Sequence, residues 1–215
     1  PLFRTKSTVT HFTTQNMVLA SSRKKSIVSS VVVNTKPQTA GDPSAVQIDD
    51  WVRGGGALVA TYESSLFDEW GHRLGNFGLA DVFGVDYLGT FDRGGDSGTI
   101  YVPQGDWRDR FGLWLGFAGQ HTEIRPRPGT DLDVICTLST RRRFGPINPY
   151  QITHDSTHPG VTVNRFGRGT ATYVSGDIGA GFCDHPLPQV RRLFSELVQR
   201  GGLRVDIDAP STVFA

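Results

Sequence analysis

Apolar residues recur at helical spacing in two segments of this chain. Residues 42–52 predict the first helix, because Asp42 can cap its start and Pro43 suits its first position. One face of that helix carries its apolar side chains: Ala45, Ile48, Trp51 and Val52. Residues 188–200 predict the last helix, which Pro188 opens and whose apolar stripe consists of Val190, Leu193, Phe194, Leu197 and Val198.

Strands are predicted where apolar residues form short runs. Residues 27–33 are rich in valine and residues 57–60 are apolar throughout, as is typical of strands inside a sheet. Three glycines, at 54–56, precede the second run. They indicate the end of a helix and not a phosphate-binding loop, because a phosphate-binding loop opens a helix. Strand, helix and strand in this order predict a right-handed βαβ unit with parallel strands.

The middle of the chain predicts a different architecture. Residues 77–83 predict a short helix that stops at Gly84, and short strands of an antiparallel region are predicted at 99–102, 121–125 and 132–138. Residues 161–166 and 170–175 flank Gly167, Arg168 and Gly169, which is the spacing of a hairpin. A final strand is predicted at residues 203–207.

Composition and charge narrow the class of protein. A chain of 215 residues most naturally forms one domain. Its 22 basic and 21 acidic residues give a net charge of +1, which offers no general reason to bind nucleic acid. No apolar run approaches the ~20 residues that cross a bilayer, so no membrane partner is predicted. Two cysteines are too few for a disulfide scaffold, and the compartment stays open.

Several blocks of the sequence carry a resemblance to a known family. Residues 54–71 read GGGALVATYESSLFDEWG, residues 76–85 read NFGLADVFGV, and residues 159–180 read PGVTVNRFGRGTATYVSGDIGA, with a helix at 185–197. In these blocks the chain resembles the amidotransferase-like domain of family 42 glycoside hydrolases and related multidomain carbohydrate enzymes, called the β-galactosidase trimerisation domain. The resemblance covers residues 26–208. Residues 1–25 match poorly, and residues 209–215 are interpreted as the start of a linker or of a following domain.

The resemblance implies an α/β fold of the class I glutamine amidotransferase type. This fold is flavodoxin-like, with three α/β/α layers and a partly parallel sheet, to which the middle region adds antiparallel strands. The implied function is that of an accessory or oligomerisation domain that is not itself an enzyme, because the family carries its catalytic carboxylates in a separate barrel domain. The implied partners are that barrel, in the same or a neighbouring chain, and further copies of the domain. No cofactor is implied.

Two alternatives to the accessory domain stay open. One is a small stand-alone hydrolase with a site at the carboxyl edge of the sheet, where ligands of open α/β sheets bind. The other is a carbohydrate-binding module.

The turn after residues 57–60 is where catalytic chemistry is expected in this type of fold. Class I amidotransferases place a nucleophilic cysteine on a sharp turn after a strand, whereas this chain presents Tyr62 and Glu63 there. Cys183 is the one thiol in a suitable setting, because we expect it to precede a helix amino terminus, which favours a thiolate, with His185 two residues on. No third group completes a triad, so no catalytic residue is assigned. Cys136 lies in a predicted strand and is expected in the core.

The loop after this turn supplies most of the remaining candidates. Its carboxylates could form the acid and base pair of a glycosidase, contact a ligand or a neighbouring subunit, or remain solvated. The ligand or interface candidates are Tyr62, Glu63, Asp68, Glu69, Trp70, Cys183 and His185. Trp107 and Trp114 join Trp70 as aromatic interface candidates, whereas Trp51 is expected in the core.

No metal site is predicted. His154 and His158 would share one face of a helix, but Pro149 and Pro159 favour a loop there. The isolated histidines His72 and His121 are expected to be structural, and residues 141–143 form a basic turn without interleaved aromatic residues.

Overall fold

The computed structural model describes residues 16–19, 30–34, 45–68, 70–91, 98–139 and 158–200. Ten strands lie in these ranges: β1 (Asn16–Leu19), β2 (Ser30–Asn34), β3 (Ala57–Thr61), β4 (Val85–Phe91), β5 (Gly98–Pro103), β6 (Leu115–Ala118), β7 (His121–Pro126), β8 (Asp131–Leu138), β9 (Pro159–Phe166) and β10 (Gly169–Val174). The same ranges contain five helices: α1 (Ala45–Arg53), α2 (Ala80–Phe83), α3 (Asp106–Phe111), α4 (Ile178–Asp184) and α5 (Pro188–Arg200).

Eight of the described strands form one sheet in the order β1-β2-β3-β10-β9-β8-β5-β6, and β4 pairs with β7 in a separate ribbon. Strands β3 and β10 run parallel, whereas every other pair among the described strands is antiparallel. The fold is therefore α/β with a mixed sheet, as predicted at that level.

The predicted parallel βαβ unit is wrong for its first strand. Strand β2 pairs with β3 in antiparallel register, with Val31 opposite Val59 and Val33 opposite Ala57. Residues 35–56 connect the two strands. A connection of this length can return to either edge of a sheet, and a run of apolar residues does not encode the direction of its strand. Strand β3 gains its parallel neighbour from β10 instead, more than a hundred residues later in the chain.

Both faces of β3 and β10 are buried, as the alternation of side chains along β3 shows. Val59 points into one core, whereas Leu58 and Ala60 point into the other, as the two-residue period of a strand requires. The α5-side core contains Val59, Tyr101, Trp107, Val174, Ile178, Val190, Leu193 and Leu197. The α2-side core contains Val52, Leu58, Ala60, Phe77, Val82, Phe83 and Tyr173. Full burial of each large apolar side chain contributes about 1.5–3 kcal/mol.

Strands β9 and β10 form the predicted hairpin, whose two-residue turn consists of Gly167 and Arg168. Gly167 has φ +62°, a conformation that glycine adopts without strain. The turn packs on the end of α1, because the amide of Arg168 donates to the carbonyl of Arg53 at 3.0 Å and the amide of Thr170 donates to that of Gly56 at 3.1 Å. These bonds fix the register between β10 and β3.

Several other sequence predictions are confirmed. Helix α1 ends before the glycines at 54–56, α2 ends at Gly84 with φ +70°, and Pro188 opens α5. The predicted strand at 203–207 and the predicted helix start at Asp42 and Pro43 lie outside the described residues. None of the helices in the described part of the chain combines the length and the hydropathy needed to span a bilayer.

Candidate functional site

The carboxyl ends of β3 and β10 lie at the same edge of the sheet because these two strands are parallel. Immediately after β3 the backbone turns sharply, and Tyr62 adopts φ +53°, a left-handed conformation that side chains other than glycine rarely adopt. The amide of Tyr62 donates to the carbonyl of Val174 at 2.8 Å, which ties the turn to the end of β10. At this turn the related amidotransferases were expected to carry a nucleophilic cysteine, and this chain has Tyr62 and Glu63 instead.

Tyr62 is hydrogen-bonded through its amide, its hydroxyl and its carbonyl. Its hydroxyl donates to Oε1 of Gln120 at 2.7 Å, and its carbonyl accepts a hydrogen bond from the hydroxyl of Tyr173. Burial raises the pKa of the Tyr62 hydroxyl well above its usual value, and the neighbouring Glu63 carboxylate raises it further. The phenol is therefore protonated at neutral pH and occupies the turn as a structural group.

Glu63 is buried, with 5% of its surface exposed, and it belongs to a compact polar network. Its Oε1 atom accepts a hydrogen bond from the hydroxyl of Thr90 at 2.7 Å and forms an ion pair with Arg73. Arg73 also donates to Thr90 at 2.8 Å, and the hydroxyl of Tyr87 lies 2.8 Å from the same oxygen. The carboxylate is thus neutralised and bonded, which is how proteins accommodate a buried charge.

Sequence reasoning did not find Arg73, Thr90 or Gln120 as members of this site. Arg73 follows Glu63 by ten residues in a loop, and Thr90 lies on β4, a strand that the sequence did not predict. Strand β4 is interrupted by a bulge between Tyr87 and Gly89, which breaks the alternation that would have revealed it. Its pairing with β7 brings Thr90 to Glu63, and no local signal encodes that pairing.

Beyond Glu63 the chain forms a short hairpin, which we call the Trp70 hairpin and define as residues 66–68 and 70–74. Phe67 bridges Arg73 in antiparallel fashion, and the amide of Leu74 donates to the carbonyl of Leu66 at 2.8 Å. At the tip, Oδ1 of Asp68 accepts hydrogen bonds from the amides of Trp70 at 2.9 Å and His72 at 2.7 Å. The tip is therefore closed by one carboxylate.

Asp68 also lies 3.2 Å from Nδ1 of His72. The hydrogen bond from the backbone amide of His72 is the largest cause that lowers the pKa of the Asp68 carboxyl, followed by its side-chain bond to the same residue. Glu63 and Asp68 thus belong to separate hydrogen-bond networks, one at the sheet edge and one at the hairpin tip. Glu69 lies outside the described residues.

Trp70 is the most exposed of the large apolar side chains in the described part of the chain, at 78%. The backbone around it is ordered by the bonds to Asp68, whereas its indole extends into solvent. Trp114 is half-buried, and Trp107 is 2% exposed and stacks on Phe111 at 5.1 Å between ring centroids. The prediction that Trp107 is an interface residue is therefore wrong, because α3, which the sequence did not predict, turns this side chain into the α5-side core.

The proposed setting of Cys183 is also wrong. Cys183 is exposed and lies in the last turn of α4, and His185 follows as the C-cap of that helix. Cys183 therefore lies at the carboxyl end of a helix and not before a helix amino terminus. Asp177 caps the other end of α4, accepting a hydrogen bond from the amide of Ala180, and its charge acts on Tyr62. Six residues of helix, about 9 Å, therefore separate Cys183 from the cap on the site's side.

Three further sequence predictions have structural outcomes. Cys136 lies in the α5-side core and Trp51 packs against the α2-side core, as expected. His121 is buried, with Nδ1 lying 3.1 Å from the hydroxyl of Thr99, which matches a structural role. Within the described ranges no cluster of three or more metal-ligating side chains is present, and His154 and residues 141–143 lie outside them.

Solved structures of β-galactosidases share this fold. The enzyme from Bacillus circulans sp. alkalophilus and the enzyme from Rahnella sp. R3 each superpose with a TM-score of 0.54 at 21% identity, over 77% of this chain and 22% of theirs. A family 42 β-galactosidase from G. stearothermophilus gives a TM-score of 0.51 at 21% identity, over 76% of this chain and 20% of its own. The sequence matches no protein-family model and no curated protein.

The resemblance that residues 54–71 and 159–180 indicated is thus confirmed at the level of the fold. The chain spans about a fifth of the length of the β-galactosidases that it matches.

Proposed function

We propose that this chain is a non-catalytic accessory domain of a β-galactosidase-like glycoside hydrolase. The observation that carries the proposal is the turn after β3, where a buried, hydrogen-bonded Tyr62 occupies the place of a nucleophile. The shared fold supports the proposal, because in the β-galactosidases this fold accounts for only about a fifth of the chain. The finer assignment, to a flavodoxin-like, amidotransferase-like domain with three layers, belongs to the same proposal.

The polar groups nearest the turn support a structural role. The Tyr62 hydroxyl stays protonated at neutral pH because burial raises its pKa, and an un-ionised phenol is a poor nucleophile. The Glu63 carboxylate is held by Arg73 and Thr90, so that its bonded oxygen is not free to take a proton from a substrate. Each polar side chain at the turn therefore stabilises the turn.

The partners of this accessory domain are a catalytic barrel, in the same or a neighbouring chain, and further copies of the domain in an oligomer. Domains that assist a larger enzyme act by packing, so the working surface is expected outside the buried turn. The Trp70 hairpin follows the turn directly and is the exposed feature closest to it in the chain.

Activity assays test the non-catalytic part of the proposal. The purified chain is incubated with aryl galactosides, simple esters and glutamine, and compared with Glu63→Gln and Cys183→Ala. We expect no turnover above that of the heat-denatured chain for any of these substrates. Turnover that is lost in either variant would overturn the proposal in favour of a stand-alone hydrolase.

Light scattering after size-exclusion chromatography tests the accessory part. The chain is mixed with a separately purified catalytic barrel from the same genome. That barrel is encoded either in the same reading frame as the chain or in a neighbouring one. We expect a stable complex or a defined homo-oligomer. A monomer that fails to associate with that barrel at micromolar concentration contradicts the accessory role.

A further inference from the structure

The Trp70 hairpin is tied to the sheet edge by the ion pair between the exposed Arg73 and the buried Glu63. Arg73, at the end of the hairpin strand that returns from the tip, reaches back to Glu63 at the turn and to Thr90 on β4. Its guanidinium also lies 5.3 Å from the ring centre of Tyr87 and 5.6 Å from that of Phe67. The base of the hairpin is therefore fixed by contacts to the turn after β3 and to β4.

The tip is fixed independently of the base. Asp68 accepts two backbone hydrogen bonds and contacts the His72 ring, and the amides of Asp68 and Gly71 donate to the carbonyls of His72 and Asp68 at 3.0 Å each. Gly71 adopts φ +83°, which its lack of a Cβ permits. The result is an exposed tryptophan on a hydrogen-bonded backbone, so little backbone entropy remains to be lost when the indole is covered.

The surroundings of Trp70 project outward. Residues 70–75 are all exposed, so the indole extends into solvent and is not enclosed by other side chains. Leu74 and Leu88 add exposed apolar surface, on the hairpin and on β4, the strand to which Arg73 ties the hairpin. A protruding tryptophan on a rigid support is the usual form of an anchor that enters a concave apolar pocket on a protein partner.

We infer that the Trp70 hairpin is a preformed docking element whose indole inserts into an apolar pocket on the catalytic part of a glycoside hydrolase. This inference rests on the proposed accessory function and adds the residue that makes the contact. The partner follows from the size of the matched region, since the chain spans about a fifth of the β-galactosidases and four-fifths of such an enzyme lies outside it.

A sugar is the less suitable occupant of this tip. Sugar sites are concave and surround an aromatic platform with free hydrogen-bonding groups. Here Trp70 is 78% exposed, and Asp68, the carboxylate that closes the tip, is already bonded to the backbone of the hairpin itself. A protein pocket supplies the concave wall that the hairpin lacks.

The test measures binding of the full chain to the catalytic barrel encoded with it, by calorimetry. We expect Trp70→Ala to weaken binding at least about 30-fold and Trp70→Phe to weaken it less, because a smaller ring still fills part of the pocket. Leu113→Ala is the matched control, since Leu113 is also exposed but precedes β6 at the far end of the sheet, and we expect a change below about twofold.

Hydroxyl-radical footprinting gives a second readout that needs no substitution. The peptide carrying Trp70 is expected to be oxidised readily in the free chain and to be protected in the complex, whereas Leu113 is oxidised equally in both. An unprotected Trp70, or a Trp70→Ala variant that binds like wild type, overturns the inference and leaves the accessory function standing. A wild-type chain that does not bind the barrel overturns both.

Titration with galactose and short galacto-oligosaccharides, followed by tryptophan fluorescence, tests whether the hairpin tip binds sugar instead of a protein. We expect no saturable change. A saturable change that disappears in Trp70→Ala would assign the tip to sugar and overturn docking to a protein.

Discussion

At the scale of single residues, the turn after β3 shows what a sequence can and cannot reveal. The resemblance implied a sharp turn after the apolar run at residues 57–60, where the sequence has Tyr62 and Glu63 and no thiol, and the bend is present with φ +53° at Tyr62. The partners of these two residues come from β4, from the hairpin and from Gln120, just before β7. Contacts between residues so far apart depend on strand pairing, which no single-residue pattern encodes.

The ion pair at the turn predicts an asymmetric response to substitution. Arg73→Met leaves the buried Glu63 carboxylate without its countercharge, and we expect a loss of about 2–4 kcal/mol, below the value for a fully buried pair because Arg73 is half-exposed. Glu63→Gln keeps an acceptor for Thr90 and leaves Arg73 free to reach water, so the loss is about 1 kcal/mol.

Urea unfolding at pH 7 measures both losses. Arg165→Met is the matched control, because Arg165 pairs with Asp131 and Asp133 on the open surface, and we expect a change of about 0–1 kcal/mol. If Glu63→Gln lost more free energy of unfolding than Arg73→Met, the buried carboxylate would be shown not to need the positive charge of Arg73.

The tip of the Trp70 hairpin predicts a titration at acid pH. The pKa of Asp68 is lowered from 3.8 because its ionised form accepts hydrogen bonds in the folded chain. The contribution of the carboxylate to the hairpin is therefore complete above pH 3.8 and is lost as the pH falls through the lower, folded-state pKa.

Nuclear magnetic resonance can follow this titration at the amides of Trp70 and His72. We expect their shifts to change together with a midpoint below pH 3.8, and we expect no such midpoint in Asp68→Asn. A midpoint at or above 3.8 would show that the hydrogen bonds to Asp68 do not form in solution.

At the scale of elements, local patterns predicted what local contacts determine. Helices α1 and α5 carry apolar stripes, and the β9–β10 hairpin has its glycine at the position of positive φ, so each was predicted. Strands β4 and β6 and helices α3 and α4 were missed because they are short or interrupted by glycine or a bulge. The direction of β2 relative to β3 was predicted wrongly, because the pairing of a strand depends on contacts with strands that are distant in the sequence.

The packing of the β9–β10 hairpin on α1 predicts a severe effect of Gly169→Ala. A Cβ at Gly169 would overlap the carbonyl oxygens of Val52, in the last turn of α1, and of Gly56, just before β3. We expect a loss of about 3 kcal/mol or more, because neither backbone can move without breaking the β3–β10 register.

The matched control for Gly169→Ala is Gly89→Ala, since a Cβ at Gly89 meets nothing within 4 Å. We expect that control to change stability by less than about 1 kcal/mol. Urea unfolding of both variants is the measurement, and equal losses would contradict the close approach between the hairpin and the end of α1.

At the scale of the whole molecule, the sheet forms the wall between two cores. Neighbouring residues of one strand face opposite cores, as Val174 and Tyr173 do on β10. Removal of either core would expose one face of the same strands, and the exposed strands would then lose the packing that holds their register. The two cores should therefore unfold together although none of the five described helices belongs to both.

This coupling predicts a single transition that two tryptophans report equally. Trp107 lies in the α5-side core and Trp51 packs against the α2-side core, so the fluorine resonances of 5-fluorotryptophan in the labelled chain follow the two sides separately. We expect both resonances to lose their folded signals at the same urea concentration. Leu193→Ala should lower both midpoints together, which corresponds to a loss of about 2–5 kcal/mol in the free energy of unfolding, and Phe83→Ala should cost about 3–5 kcal/mol. If Leu193→Ala released Trp107 while Trp51 kept its folded signal, the sheet would be shown not to couple its two faces.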